Sequence, residues 1–289
     1  MSSAGKTYSV PSRDNNINFL RFIAASLVIW FHMASLLAIP EPYIMGQGLG
    51  PIAVNIFFVL SGYLIAKSWT RSSSFGSYLI RRIARIFPGL AVVILLSVFV
   101  MGPIVTSLPL GDYFADAGTW KYLSLIVLAP ISNVLPGVFD ANPLPYAVNG
   151  SLWTLRYEFL AYLLTPLLYA ATKKLCGGRK LVFAVVLAVL VLVHFLSYSG
   201  LYPLPKVLDN LFRLFAYYMA GVAVLELGLA KYCDSQFAVV ALLVIIVFRD
   251  QVGIFSSLIM FVCVGTFTLG FSLTSNPRFA PCFKKNDYS

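Results

Sequence analysis

A chain of 289 residues that is 59% hydrophobic and 11% charged, with a mean hydropathy of +0.84, is too apolar for a water-soluble domain. Its formal charge of +10 would suit a nucleic-acid partner, but the basic residues fall in short clusters between apolar runs, as in the cytoplasmic loops of membrane proteins. The expectation is therefore an all-α, polytopic membrane bundle with no nucleic-acid partner. The four cysteines (Cys176, Cys233, Cys263 and Cys282) lack the paired spacing of a metal site, so no metal is expected, and in the topology read below none faces the outside, so no disulfide is expected.

Residues 1–17 are polar and predict a disordered lead; residues 18–289 predict one transmembrane domain. The first span, Asn18–Pro40, has the roughly 20 apolar residues a membrane crossing needs. No small-residue cleavage site follows it, so it is read as retained. A Pro/Gly segment (Pro40–Gly50) turns the chain into a second span, Pro51–Trp69. A basic amphipathic stretch, RSSSFGSYLIRRIARIFP, leads to a third span, Gly89–Leu108. A short apolar run, Tyr122–Leu135, is interrupted by Pro130. Further spans are expected at Asn149–Leu175, Leu181–Ser199, Val207–Leu227, Phe237–Phe248 and Ile254–Leu273, with no internal repeat.

Charge placement decides whether Tyr122–Leu135 crosses. If it does not, and the N-terminus is cytoplasmic, sixteen of the 21 basic residues lie inside; if it does, the Lys173–Lys180 cluster moves outside, against the bias. The expected topology is about eight crossings of the inner (plasma) membrane, both ends cytoplasmic, with a short re-entrant or interfacial segment.

Within this frame the ionisable residues acquire depth. Arg21 and His32 are eleven positions apart on the first span, which returns them to within about 20° of one direction, separated by about 16 Å. His32 lies about 12 Å below the outer end of its helix and Glu158 about 13 Å below Asn149, so the two are candidates to pair. A carboxylate on one imidazole nitrogen would make the other a better general base. Arg213, about 9 Å deep, offers Glu158 a structural ion pair instead. Arg156 points about 200° away from Glu158. Asn55, Ser61 and Tyr63 are polar positions in an apolar helix, and Ser61-Gly62 admits close approach of a ligand or of another backbone. Trp153 is either an interfacial residue or a pocket wall. Arg81, Arg82 and Arg85 sit on adjacent turns, suited to several phosphates of an elongated donor or to anionic lipid.

Four stretches in order, Arg21 with His32, the FFVLSGYLI of Phe57–Ile65, the RRIAR of Arg81–Arg85 and the SLWTLRYEFLAY of Ser151–Tyr162, resemble the acyltransferase-3 family of integral-membrane O-acyltransferases. The likeness covers roughly residues 15–170. It implies transfer of an acyl group, commonly acetyl, from cytoplasmic acyl-CoA (acetyl-CoA) to a hydroxyl of a cell-surface or exported polysaccharide or glycolipid. Acyl-CoA is then a co-substrate and no cofactor is permanently bound. The partners implied are acyl-CoA, a glycan or lipid-linked sugar acceptor and membrane lipid.

By the same resemblance His32 is the essential histidine, acting as base or transient acyl carrier, with Glu158 as its catalytic partner. Arg21, Arg81, Arg82 and Arg85 hold the CoA phosphates. Ser61 and Gly62 match the family's Ser-Gly motif, and Trp153 and Glu158 match its tryptophan and glutamate; Asn55, Tyr63 and Arg213 are expected in the substrate pocket as polar positions of the helices, apart from the resemblance. Family members continue past a segment like Asn286–Ser289, so this chain is expected to lack their last one or two helices. The alternative from another class is a transporter or flippase for a lipid-linked glycan or anion, using the same buried charges as a pathway.

Overall fold

The computed structural model describes residues 16–129, 134–145, 148–174, 178–232, 235–248 and 253–273. The polar lead up to residue 15, Cys176, Cys233, Cys282, Pro130 and the C-terminal Asn286–Ser289 lie outside the described residues.

Helix α1 (Ile17–Leu36) is followed by a hairpin, β1 (Tyr43–Ile44) and β2 (Gln47–Gly48), in place of a plain Pro/Gly turn. Its two central residues, Met45 and Gly46, both have positive φ, which matches the twist of the paired strands. Helix α2 (Leu49–Thr70) then leads through Ser74, whose side chain accepts from Ser77 N–H, into α3 (Phe75–Leu96).

Here the structure departs from the expectation of an amphipathic stretch followed by a separate span. One helix runs from Phe75 through Pro88, opens into a π-helical turn at Ser97–Met101, and ends as α4 (Gly102–Val105). Pro88 lies within α3 without ending it, so the basic turn and the span belong to one continuous helix.

Short helices α5 (Leu110–Ala115) and α6 (Ala117–Tyr122) follow, with a 3₁₀ turn over Leu123–Val127. That turn closes on Leu128 in the left-handed conformation. Five residues of 3₁₀ helix extend about 10 Å, a third of the roughly 30 Å hydrocarbon core. The chain continues through α7 (Leu155–Lys174), α8 (Gly178–Tyr198), α9 (Lys206–Leu227), α10 (Ser235–Val247) and α11 (Ser256–Leu273).

Among the described residues six helical runs are long and apolar enough to cross a membrane: α1, α2, α3 with α4, α8, α9 and the run ending in α11. Two of the eight expected spans are not among them. Helix α7 carries Arg156, Glu158, Lys173 and Lys174, and the 13 residues of α10 reach only about 20 Å.

The chain forms two compact units. The first gathers Met1–Leu27, Tyr43–Lys67 and Ala171–Ser289. Its centre is α2 against α9, and glycine makes that contact possible. A Cβ at Gly62 would collide with the Tyr218 carbonyl, and one at Gly221 with the Val59 carbonyl and Tyr63 N. Ala53, Val59, Ala66, Leu214 and Ala216 are fully buried around this seam. Such small-residue contacts are how helices associate where water supplies no hydrophobic force between them. Helix α8 packs on α9, α10 on α11, and α11 on both α8 and α9. Asn16 ties down the end of α11, its N–H reaching the Ser272 carbonyl at 3.2 Å and its Nδ2 the Phe271 carbonyl at 3.1 Å.

The second unit holds Val28–Pro42 and Ser68–Ala170. Fully buried tyrosines fasten it by donating to backbone carbonyls: Tyr78 to Tyr162 at 3.0 Å and Tyr113 to Val98 at 3.0 Å. The Tyr113 bond supplies a partner where the π-helical turn breaks the regular ladder of α3.

Candidate active site

His32 sits on the fifth turn of α1, half-buried, its ring edge-on to Phe31 at 5.1 Å between centroids. Its neighbour from the rest of the second unit is Gly150: a Cβ there would lie 3.9 Å from the imidazole Cε1 and 4.0 Å from Nδ1. The backbone at Gly150 thus passes beside the imidazole with just enough room. Gly150 opens the 3₁₀ turn Gly150–Thr154, which carries Trp153.

That turn is held by Asn149. The residue adopts the left-handed conformation (φ 52°), which asparagine tolerates better than most side chains. Its Nδ2 donates to Ser97 Oγ at 2.7 Å, at the π-helical turn, and to the Tyr122 hydroxyl at 2.9 Å. Tyr122 donates onward to the Val148 carbonyl at 3.3 Å. Burial raises the pKa of both Tyr113 and Tyr122 above the ordinary phenol value, so each remains a protonated donor. Sequence inspection passed over Asn149 and Gly150; the signal was there as an Asn-Gly pair just before an apolar run.

Glu158 lies further along α7, and its carboxylate accepts from the Tyr162 hydroxyl one turn on. Among the described residues no hydrogen bond joins it to the expected partner His32. The reason is local: residues four apart on a helix are neighbours, and the phenol reaches the carboxylate without any tertiary alignment. The alternative partner, Arg213, belongs to the first unit, where its Nη1 donates to Asn55 Oδ1 at 2.8 Å and its Nη2 to Asn210 at 3.0 Å. Asn55 is fully buried, with Nδ2 3.4 Å from Gln47 Oε1. So Asn55 and Arg213, both placed in the pocket by sequence reasoning, are brought together.

Gly62 meets the backbone of α9, the packing alternative left open above, beside a half-buried Ser61, and Tyr63 carries Lys67 over its ring at 5.7 Å. Trp153 meets Tyr157 edge-on at 5.7 Å and borders a cavity. His194 is buried between Tyr198 and Tyr217, and neither ring nitrogen has a hydrogen-bond partner among the described residues.

The three arginines of α3 divide into distinct roles. Arg81 is exposed, its guanidinium held by Ser77 Oγ and Ser72 Oγ at 2.6 Å each. Arg82 is built into the structure: it lies over Tyr78 at 5.9 Å and Tyr162 at 5.8 Å and donates to Ser68 Oγ at 3.2 Å. Its Nε is buried with no acceptor. Arg85 is exposed, next to Arg82 on the same face. Arg21 lies half-buried on the second turn of α1, the same continuous helix that carries His32. Tyr78 and Tyr162, which position Arg82, were missed because buried tyrosines in an apolar run read as core.

Comparison with known proteins bears on this arrangement. The acyltransferase-3 sequence profile, described as an acyltransferase domain, matches residues 14–280. The chain belongs to the acyltransferase-3 family. Its curated relatives include an O-acetyl transferase of Shigella phage Sf6, 38% identical over 164 residues, which are 56% of this chain and 47% of that protein. Nodulation protein 10 of Rhizobium leguminosarum is 29% identical over 182 residues, 59% of this chain and 48% of the relative. Peptidoglycan O-acetyltransferase OatA of Listeria monocytogenes is 31% identical over 191 residues, 62% of this chain and 27% of that protein. This acyltransferase-3 chain thus spans about half the length, or less, of the curated relatives it matches. No solved structure gives a significant match. Membership of this membrane family, with six apolar helices of spanning length, makes the chain a multi-pass membrane protein.

Proposed function

We propose that this protein moves an acyl group, in the simplest case acetyl, from cytoplasmic acyl-CoA to a hydroxyl of a cell-surface or exported glycan, with the N-terminus in the cytoplasm. The observation that carries the proposal is a histidine on a helix of membrane-spanning length beside a glycine turn, in a chain whose family is one of acyltransferases. Two relatives named as O-acetyl transferases support acetyl as the group moved.

In the direct scheme an imidazole nitrogen of His32 takes the proton of the acceptor hydroxyl as its oxygen bonds to the thioester carbonyl carbon. The tetrahedral intermediate collapses with cleavage of the carbon–sulfur bond, and the imidazolium returns the proton to the CoA thiolate. An acyl-histidine route uses the same residue in two steps. Arg81 and Arg85 grip the donor's phosphates, with Arg21 the cation nearest His32 along α1; Arg82 holds its place between two tyrosine rings. Such remote contacts supply binding energy that the reacting centre does not have to provide. Glu158, with Tyr162 on its carboxylate, supports the site through the wall that also carries Arg82.

The test is radiolabelled acyl-CoA supplied to inverted membrane vesicles containing the full-length protein. Label is expected in glycan, lost with His32→Ala, and the donor KM raised by Arg21→Ala and Arg85→Ala. Glycan moved across the vesicle without covalent change would replace this reading with a transporter.

A further inference from the structure

A half-open cavity of about 270 Å³ lies in the second unit, lined by Leu90, Leu125, Leu128, Ala129, Leu152, Trp153 and Arg156. Arg156 has no role in the transfer scheme. Its guanidinium rests on the Tyr157 ring at 5.1 Å, and its Nε is buried with no hydrogen-bond partner among the described residues. An arginine cannot shed its proton, so the cavity keeps a fixed positive charge at its wall. A charge facing an apolar cavity is costly without a counter-charge, which marks the cavity wall as incomplete.

The rest of the lining narrows the ligand. Apart from Arg156 and the Trp153 indole N–H, no side chain there donates or accepts, so a polyhydroxylated sugar would have only backbone groups to pair most of its hydroxyls. Four leucines and an alanine instead suit hydrocarbon. The volume is just under the roughly 300–1,000 Å³ of small-molecule sites, enough for a headgroup and its first carbons, with the remaining chain emerging through the open side.

We propose that this cavity binds the phosphate of a membrane amphiphile, with Arg156 on the phosphate oxygens and the leucines around the adjoining hydrocarbon. Two amphiphiles share that chemistry, an ordinary anionic phospholipid and a polyisoprenyl phosphate of the kind that carries glycans. The site stands apart from the acyl-transfer reading, because it is tested without any donor.

The experiment is native mass spectrometry of the full-length protein in detergent, offered phosphatidylglycerol, a polyisoprenyl phosphate, dioleoylglycerol or inorganic phosphate. Both phosphorylated lipids are expected to be retained, and the last two, each with half of the chemistry, are not. Arg156→Gln is expected to lower retention at least tenfold and Arg156→Lys to keep most of it. Leu125→Trp, which fills the cavity and leaves the charge, is expected to abolish it. Stronger retention of the polyisoprenyl phosphate assigns the site to a glycan carrier, equal retention to a resident phospholipid; either upholds it. Unchanged retention in monodisperse Arg156→Gln or Leu125→Trp protein overturns the proposal, as does inorganic phosphate binding as tightly as the lipids.

Discussion

The guanidinium of Arg82 lies 5.8 Å from the centre of the Tyr162 ring, and the hydroxyl of that tyrosine donates to Glu158. One side chain thus touches both the basic patch of α3 and the carboxylate of α7. Tyr162→Phe keeps the ring under Arg82 and removes the bond to Glu158. A hydrogen bond to a charged group contributes about 1.5–3 kcal/mol, so acyl transfer is expected to fall by about tenfold or more with the donor KM little changed. Tyr162→Leu removes the ring as well and is expected to raise the donor KM too. Steady-state kinetics with varied acyl-CoA separates the two; equal KM values for both variants count against the ring's role.

Arg81, Arg82 and Arg85 should not behave alike. Arg85→Ala is expected to weaken donor binding and leave the melting temperature in place, since its side chain is exposed. Arg82→Ala removes contacts with two tyrosine rings and a serine, and is expected to lower the melting temperature as well. Thermal unfolding of the purified variants beside donor titrations reads both effects. Identical melting temperatures for the two would put Arg82 on the surface in solution.

Asn149 offers a test that separates side-chain bonding from backbone shape. Both Asn149→Gly and Asn149→Ala lose the bonds to Ser97 and Tyr122. Only alanine adds the cost of the left-handed conformation, about 1 kcal/mol. Glycine is therefore expected to be the more stable of the two variants, with both below the parent. Reversal of that order in denaturant or thermal unfolding would mean the turn is not left-handed.

The seam of α2 and α9 is the least forgiving place in the first unit. Gly62→Val and Gly221→Val each push a side chain into the opposing backbone, which cannot rotate away as a side chain would. Over-packing costs about 1–3 kcal/mol in ordinary cores and more against rigid backbone. Both variants are expected to express poorly or to melt well below the parent, while Gly76→Val, in open space, is expected to be silent.

Asn55 is the acceptor that keeps a buried guanidinium satisfied. Asn55→Leu is expected to destabilise by about 1–3 kcal/mol, because Nη1 of a buried guanidinium loses its acceptor while Nη2 keeps Asn210. Asn55→Asp keeps an acceptor and is expected to be much closer to the parent. Thermal unfolding of the two variants makes the comparison, and equal losses would mean that the bond to Arg213 contributes nothing.

The sequence by itself determined the class of the molecule. Apolar runs of membrane length, basic clusters between them and the spacing of Arg21, His32, Arg81–Arg85 and Ser151–Tyr162 follow from local composition and helical periodicity, which tertiary structure does not alter. What only the tertiary structure decided were the pairings. Depth arithmetic put His32 level with Glu158, but depth is one coordinate of three; the side of the helix and the nearest competitor settle the rest. Gly150 comes to lie beside the imidazole, while the Glu158 carboxylate is taken by Tyr162 one turn away, a bond local to α7. Arg213 is bonded to Asn55 across 158 residues of chain, a match no local pattern encodes. Helical periodicity says of Arg156 only that it points away from Glu158; that it lines a cavity is decided by segments distant in sequence that the fold brings to it.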